Sequence, residues 1–172
     1  MMGVGKTTVG RLLAQELGYR FFDTDTLIEQ AAHRSINEIF TTDGEEAFRA
    51  TESQVLAELS AYTKLAIATG GGIVLRRQNW SYLHYGLIVW LDAPVELLIA
   101  RLAEDNTRPL LKDPDPQKKL TMLLEQRQSL YAQADIRVTI CPEETPEQIA
   151  KRVIEEIPSV LKPERLPPVS LN

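Results

Sequence analysis

The chain contains few of the residues that disulfide-linked, metal-clustered or membrane-spanning proteins require. Its 172 residues include one cysteine, Cys141, and two histidines, His33 and His84, that lie far apart in the sequence. An intrachain disulfide and a thiolate metal cluster are therefore excluded, and the histidines do not indicate a zinc site. No run approaches the ~20 apolar residues of a membrane helix, and the N-terminus lacks the pattern of a secretion signal. We expect a cytoplasmic protein without a membrane partner.

Positive charge is also scarce. Lys and Arg number 19 against 24 Asp and Glu, which gives a net charge of −5 and a pI near 5.2. No long-range positive field is available to attract nucleic acid, so an anionic ligand would need locally placed cations. The 44% of hydrophobic residues is typical of a globular protein, and the length allows one complete domain but no second large one.

Short apolar runs alternate with longer segments of helical spacing, which is typical of βα units on a parallel sheet. Strands are predicted at residues 19–22, 65–69, 87–91 and 136–140, and helices at 6–17, 95–103, 117–132 and 146–157. Three pairs have the spacing of a helix capping box: Ser35 with Glu38, Asp43 with Glu46, and Thr145 with Gln148. The sequence therefore predicts an α/β fold.

The start of the chain carries the second half of a phosphate-binding pattern. Gly5-Lys6-Thr7 matches the end of G-x-x-x-x-G-K-[ST] and leads into the helix at 6–17. Lys6 could span the β- and γ-phosphate oxygens of a nucleoside triphosphate, and the Thr7 hydroxyl could ligate Mg²⁺. The predicted nucleotide-binding residues are Gly3, Val4, Gly5, Lys6, Thr7 and Thr8.

The first half of this pattern is absent. Its glycine would fall one position before Met1, and the strand that feeds such a loop would lie further upstream. Either the natural chain begins earlier or the protein lacks its central strand. We favour the first explanation, because losing a central strand should cost several kcal/mol, a large part of the ~5–15 kcal/mol that stabilises a domain. As written, the chain is expected to fold poorly.

Two carboxylates, Asp23 and Asp25, follow the predicted strand at 19–22. The carboxyl edge of an open α/β sheet is where ligands bind, and residues separated by one position in an extended segment point the same way. One carboxylate could support Mg²⁺ while the other takes the proton of an attacking hydroxyl. The alternative is that Asp25 only caps the next helix.

Three further features indicate an anionic acceptor. Arg49, with Glu52 three residues later, could clamp a planar carboxylate, or the two could form a surface pair. The glycines at 70–72 follow a buried strand and would let a ligand approach the backbone. Arg127 and Tyr131 lie one helical turn apart, so Arg127 could be a second cation for the acceptor.

Two segments, residues 104–116 and 158–172, do not fit the alternation of predicted strands and helices. The first segment combines charge with three prolines and predicts a mobile lid. Its Arg108 could swing onto the γ-phosphate and carry transition-state charge, or could be an ordinary surface arginine. The second segment holds four prolines without a helical stripe and predicts a loosely docked tail.

Taken together, these motifs resemble shikimate kinases, small P-loop kinases of aromatic amino-acid biosynthesis. The resemblance rests on G-x-G-K-T-T, F-D-T-D, D-G-E-x-x-F-R, G-G-G, R-P-L-L and R-x-x-x-Y, in family order, and covers residues 2 to about 157. It implies a kinase domain at 1–157 with the P-loop NTPase-type three-layer α/β sandwich, in which helices flank a five-stranded parallel sheet of order 2-3-1-4-5. The first strand is missing from this chain.

On the nucleotide side, the resemblance implies that Lys6 contacts the ATP phosphates. Thr7 and Asp23 would hold Mg²⁺, Asp23 through water. Arg108 would close over the phosphates, and Arg101 would stack on the adenine as a cation on a π face.

On the acceptor side, the resemblance implies that Asp25 orients and deprotonates the 3-hydroxyl of shikimate, giving shikimate 3-phosphate and ADP. Arg49 and Arg127 would hold the shikimate carboxylate, Glu52 would position Arg49, and Gly71 would donate its backbone N–H. Partners other than ATP, ADP and shikimate are not expected, and the protein is expected to be a monomer.

Two other functions stay open at this point. The chain could be a P-loop kinase of another hydroxylated metabolite such as gluconate, although the arginine pair argues against it. It could also be a shikimate kinase-like binding protein that has lost catalysis.

Overall fold

The structure, a computed structural model, describes residues 1–103 and 115–161. Arg108, nearly all of the predicted lid and most of the predicted tail lie outside the described residues. The strands are β1 (Arg20–Asp23), β2 (Leu65–Ala68), β3 (Val89–Asp92) and β4 (Ile136–Thr139). The helices are α1 (Lys6–Leu17), α2 (Thr24–Ala32), α3 (Ile36–Thr42), α4 (Gly44–Ser60), α5 (Arg77–Leu83), α6 (Val95–Ala103), α7 (Pro116–Tyr131) and α8 (Pro146–Val160).

Helix ends follow the capping signals of the sequence, with one exception. The capping boxes that begin α3 at Ser35 and α8 at Thr145 both form. Asp43 does not cap α4 with its side chain, so the third predicted box is wrong, although α4 does begin at the next residue. The Asp43 carboxylate instead pairs with Arg34 at 2.5 Å. Helix α8 continues to Val160, three residues beyond its predicted end at position 157.

The strands form two parallel pairs. Strand β1 pairs with β2, with Arg20 opposite Leu65 and Asp23 opposite Ala68. Strand β3 pairs with β4, with Val89 opposite Ile136. Within the described ranges each pair is a separate two-stranded sheet. The α/β class with parallel strands is thus confirmed. The described residues contain four strands, and the family resemblance implies a sheet of five.

An apolar cavity lies between residues of β3 and the segment that follows β2. It has a volume of about 90 Å³ and is lined by Thr69, Trp80, Val89, Trp90 and Leu91, among others. Trp90 is 6% exposed, and its Nε1 has no hydrogen-bond partner among the residues that the structure describes. A buried indole N–H normally finds an acceptor, so the Trp90 side chain is incompletely satisfied within these residues.

Two hydrophobic clusters hold the elements together. The larger one extends from α1 through β3, α6, α7, β4 and α8. The smaller one joins Ile28 of α2, Ile39 of α3 and Phe48 of α4. It packs the short helices α2 and α3 onto α4, and so places the N-terminus of α2 near the α4 residues Arg49 and Glu52. No helix in the described part of the chain is both long and apolar enough to cross a bilayer.

Candidate active site

The loop before α1 is built by two glycines in left-handed conformation. Gly3 has φ 73° and Gly5 has φ 91°, values that side chains with a Cβ rarely adopt. They turn the backbone tightly into the N-terminus of α1, where backbone N–H groups and the helix dipole favour an anion. The Lys6 ammonium lies over this turn and donates to the Met1 carbonyl at 2.7 Å. The predicted phosphate loop is therefore present in a curled conformation.

The two predicted metal ligands meet at the base of this loop. The Thr7 hydroxyl donates to Asp23 Oδ2 at 2.7 Å, which joins the start of α1 to the end of β1. The described residues contain no cluster of three or more His, Cys, Asp and Glu side chains. A hydroxyl and one carboxylate nevertheless fit Mg²⁺, which prefers oxygen ligands and completes its shell with water and substrate phosphates.

Asp25 does not lie in an extended segment, so the geometric premise for the Asp23–Asp25 pair is wrong. Helix α2 begins at Thr24, and Asp23 is its N-cap, accepting a hydrogen bond from the Asp25 N–H at 3.0 Å. The alternative role of Asp25 as the cap is therefore also wrong. Asp25 occupies the first turn of α2, where the helix dipole stabilises a carboxylate.

The triple glycine makes room for charged side chains of the protein itself. A Cβ on Gly70 would lie 2.7 Å from Glu52 Oε1 and 3.1 Å from Asp25 Oδ1. A Cβ on Gly72 would overlap the guanidinium nitrogens of Arg49. The sequence predicted close approach of a ligand at this point, but it did not predict that Asp25, Glu52 and Arg49 converge on the same backbone.

Arg49 is fixed from several sides. Its Nη1 donates to Glu52 Oε2 at 2.7 Å, and its Nη2 lies 3.2 Å from Glu45 Oε1. The guanidinium carbon also lies 5.1 Å from the Phe48 ring centroid and 6.0 Å from that of Phe40. The predicted contact between Arg49 and Glu52 is thus confirmed. Burial raises the pKa of Glu52, and the hydrogen bond from Arg49 opposes that rise.

Arg127 and Tyr131 reach the same glycines from α7. The Tyr131 hydroxyl donates to the Gly71 carbonyl at 2.6 Å. Burial raises the pKa of that hydroxyl, and the nearby Arg127 guanidinium opposes the rise. Within residues 1–103 and 115–161, no group accepts from the Gly71 N–H. This donor is consequently available to a ligand. The R-x-x-x-Y spacing predicted that the two side chains share a face but not that Tyr131 binds the glycine backbone.

The glycine segment also lies beside the phosphate loop. Lys6, Gly70, Gly71 and Tyr131 line one cavity. Met1 connects them, because its carbonyl accepts from Lys6 and its Cα would lie 3.5 Å from a Cβ on Gly71. The cation predicted to hold phosphate therefore shares a cavity with Gly71, one of the groups predicted to hold the acceptor.

Arg101 lies at a second cavity, on the outer side of the phosphate loop. This cavity has a volume of about 280 Å³ and is lined by Gly5, Thr8, Arg101, Pro146 and Ile149, among others. The Arg101 Nη1 is 3.4 Å from the Val4 carbonyl. A planar group the size of a nucleobase could enter next to the guanidinium.

The comparisons with known proteins agree with this geometry. A sequence model of the shikimate kinase family matches residues 2–158. The chain belongs to the shikimate kinase family. The curated shikimate kinase of Trichormus variabilis is 67% identical over 162 residues, 94% of this chain and 90% of that protein. That of Thermosynechococcus vestitus is 54% identical, over 95% of this chain and 89% of its own length.

Solved structures of shikimate kinases share the fold. The Acinetobacter baumannii shikimate kinase, determined in complex with shikimate, superposes with a TM-score of 0.87 at 39% identity, covering 92% of this chain and 89% of its own. The Aquifex aeolicus shikimate kinase gives a TM-score of 0.76 at 32% identity and covers 92% of each chain. The P-loop kinase fold inferred from the motifs is therefore confirmed.

Proposed function

We propose that this chain is an ATP-dependent kinase that phosphorylates the 3-hydroxyl of shikimate, giving shikimate 3-phosphate and ADP for aromatic amino-acid biosynthesis. Its family membership makes it a transferase. The observation that carries the proposal is the convergence of Asp25, Glu52 and Arg49 on the glycines at 70–72, beside the cavity that Lys6 lines. A base and a carboxylate clamp then lie against the glycine segment that shares a cavity with the phosphate-binding cation.

The loop from Gly3 to Thr8 binds the ATP phosphates in this proposal. Lys6 releases the Met1 carbonyl and reaches the β- and γ-phosphate oxygens, while backbone N–H groups at the start of α1 hold the β-phosphate. Thr7 and Asp23 hold Mg²⁺, and the contact between their oxygens at 2.7 Å supports that pairing. When bound, Mg²⁺ neutralises charge on the transferring phosphoryl group.

Asp25 acts on the acceptor. It receives the hydroxyl proton and orients the oxygen for in-line attack on the γ-phosphorus. Arg49 and Arg127 bind the acceptor carboxylate, Glu52 holds Arg49 in place, and the Gly71 N–H donates to the substrate. The ion pair between Arg49 and a fully buried Glu52 supports this assignment, because a held guanidinium presents its remaining donors in a fixed plane.

Two further arginines complete the proposed ATP site. Arg101 stacks on the adenine, which the cavity beside the phosphate loop supports. Arg108 is expected to close over the phosphates from the segment at 104–116, but it lies outside the described residues and its role stays a prediction. A monomeric state and a cytoplasmic location stay predictions as well.

We further propose that the two strand pairs are halves of one five-stranded sheet of order 2-3-1-4-5. In that order β1 and β2 are the second and third strands, and β3 and β4 are the fourth and fifth. The central strand would then lie between β2 and β3. The parallel pairing of β1 with β2 and of β3 with β4 supports this order, because both pairs are neighbours in it.

A substrate panel tests the proposed function. ADP release should depend on shikimate, with little stimulation by gluconate or nucleoside monophosphates. Faster turnover with gluconate would favour a kinase of that acid. Calorimetric binding of shikimate without ADP production would identify a binding protein that has lost catalysis.

A further inference from the structure

Tyr131 links two of the groups that are proposed to hold the acceptor. It is the last residue of α7 and is 7% exposed. Its ring packs against that of Trp90, with centroids 5.8 Å apart, and its hydroxyl reaches the Gly71 carbonyl at 2.6 Å. Arg127 lies one helical turn earlier on α7, close enough for its guanidinium to oppose the rise that burial causes in the pKa of the same hydroxyl.

The single proton of the Tyr131 hydroxyl has a defined acceptor. The Gly71 oxygen lies at 2.6 Å, whereas Met1 Sδ lies at 3.5 Å and is a weak acceptor. The phenol oxygen therefore donates to the backbone and keeps lone pairs that can accept from the nearby Arg127 guanidinium. Burial raises the pKa of Tyr131, with Arg127 opposing that rise, so the donating form is retained.

The glycine segment needs such an anchor. The Gly70 and Gly72 carbonyls accept from the N–H groups of Ile73 and Leu75 in the turn that follows. Among the described residues, Tyr131 is the one donor to the Gly71 carbonyl. Three consecutive glycines have an unusually large conformational freedom. The Tyr131 hydrogen bond therefore restricts the backbone at Gly71, whose N–H is proposed to donate to the acceptor.

We propose that Tyr131 is a positioning residue for the acceptor substrate, and that its hydroxyl fixes the Arg127 guanidinium relative to the Gly71 backbone. This inference rests on the proposed function, because that function assigns the same ligand, the acceptor substrate, to Arg127 and Gly71. Tyr131 does not itself contact the reacting atoms. Its effect therefore falls on acceptor binding and not on the nucleotide.

The test is Tyr131→Phe, which removes the hydroxyl and keeps the ring against Trp90. The Michaelis constant for shikimate should rise about tenfold, while kcat and the Michaelis constant for ATP stay within about twofold of the parent values. Tyr82→Phe is the matched control, because Tyr82 packs on the same core and its hydroxyl has no hydrogen bond within residues 1–103 and 115–161. It should leave all three constants unchanged.

A double-mutant cycle with Arg127→Lys tests the link directly. If Tyr131 acts through Arg127, its removal should weaken shikimate binding less in the Arg127→Lys background than in the parent. Equal effects in both backgrounds would overturn the inference. So would an unchanged Michaelis constant for shikimate in Tyr131→Phe, or equal losses for shikimate and ATP, since the latter indicates a purely structural role.

Calorimetric titration with shikimate separates this inference from the proposed function. A parent protein that binds shikimate but does not phosphorylate it would contradict the function alone. In that case weaker binding by Tyr131→Phe would still support the positioning role, and equal binding by the two proteins would overturn it.

Discussion

Arg49 and Glu52 form an ion pair of 2.7 Å in which the Glu52 side chain is fully buried and the Arg49 side chain is 13% exposed. A buried carboxylate requires its cation, because an unpaired charge in a low-dielectric interior is costly. The pair therefore holds the guanidinium in one place while leaving part of it accessible. That combination suits a group that must bind a small anion in a fixed orientation.

This pairing predicts a pH dependence of shikimate binding. Burial, the largest influence, raises the pKa of Glu52; Asp25 adds to the rise, and Arg49 and Arg127 oppose it. As pH falls through this raised pKa, Glu52 becomes protonated and releases Arg49. As pH is lowered, we therefore expect the Michaelis constant for shikimate to begin to rise at a higher pH than the one at which an exposed glutamate protonates.

The measurement is a pH profile of kcat/KM for shikimate in the parent and in Glu52→Gln, which should lose this acidic limb. Glu45→Gln is the control, because Glu45 contacts the same guanidinium from an exposed position and its removal should leave the limb in place. An identical acidic limb in Glu52→Gln would show that another group titrates.

Gly72→Ala should weaken acceptor binding and also lower the melting temperature. The added Cβ would overlap the end of the Arg49 side chain, and displacing the guanidinium leaves the buried Glu52 without its cation, so the melting temperature should fall by more than about 3 °C. The displaced guanidinium should raise the Michaelis constant for shikimate about tenfold. Gly86→Ala is the control, since its Cβ would meet no atom within 4 Å. Equal kinetics in the two variants would remove Gly72 from the site.

Asp25→Asn should reduce turnover far more than it weakens ATP binding. Asparagine keeps the shape of the side chain and a place in the first turn of α2, but it cannot accept the hydroxyl proton. Loss of a general base typically costs about 10²–10⁴ in rate. Turnover and nucleotide binding can be measured on the same preparation, and near-normal turnover would remove Asp25 from the chemistry.

The sequence predicts this fold well wherever the signal is local. Helix α1 has the bounds that its apolar spacing predicts, because Gly5 and Gly18 mark its two ends. The capping box predicted at Asp43 does not form because the Asp43 carboxylate binds Arg34, nine residues earlier in the chain, instead of the N-terminus of α4. The extended position predicted for Asp25 is wrong for a different reason. Helix α2 begins directly after β1, without an extended residue between them.

The site is predicted less completely than the fold. Motifs name Arg49, Glu52 and Arg127 as functional, but their distances to the glycines depend on how α4 and α7 pack around the sheet. Spacing along the chain contains no information about those contacts. The three glycines were the available signal, and the structure shows that side chains of the protein occupy the space that they leave.

The five-stranded arrangement predicts that an added strand stabilises the protein. An apolar, strand-forming segment of about six residues fused ahead of Met1 could pair with β2 and β3. We expect a higher melting temperature than for a fusion with a Gly/Ser segment of equal length. Equal melting temperatures for the two fusions would contradict a central strand between β2 and β3.

The position of the transferred phosphate tests the central claim most directly. With ATP, Mg²⁺ and shikimate, phosphorus–proton coupling in NMR should place the new phosphate on ring carbon 3, and ADP should form in equal amount. Phosphate on another hydroxyl, or ADP formation without a shikimate phosphate, would show that Asp25 and the two arginines do not direct the 3-hydroxyl to the nucleotide.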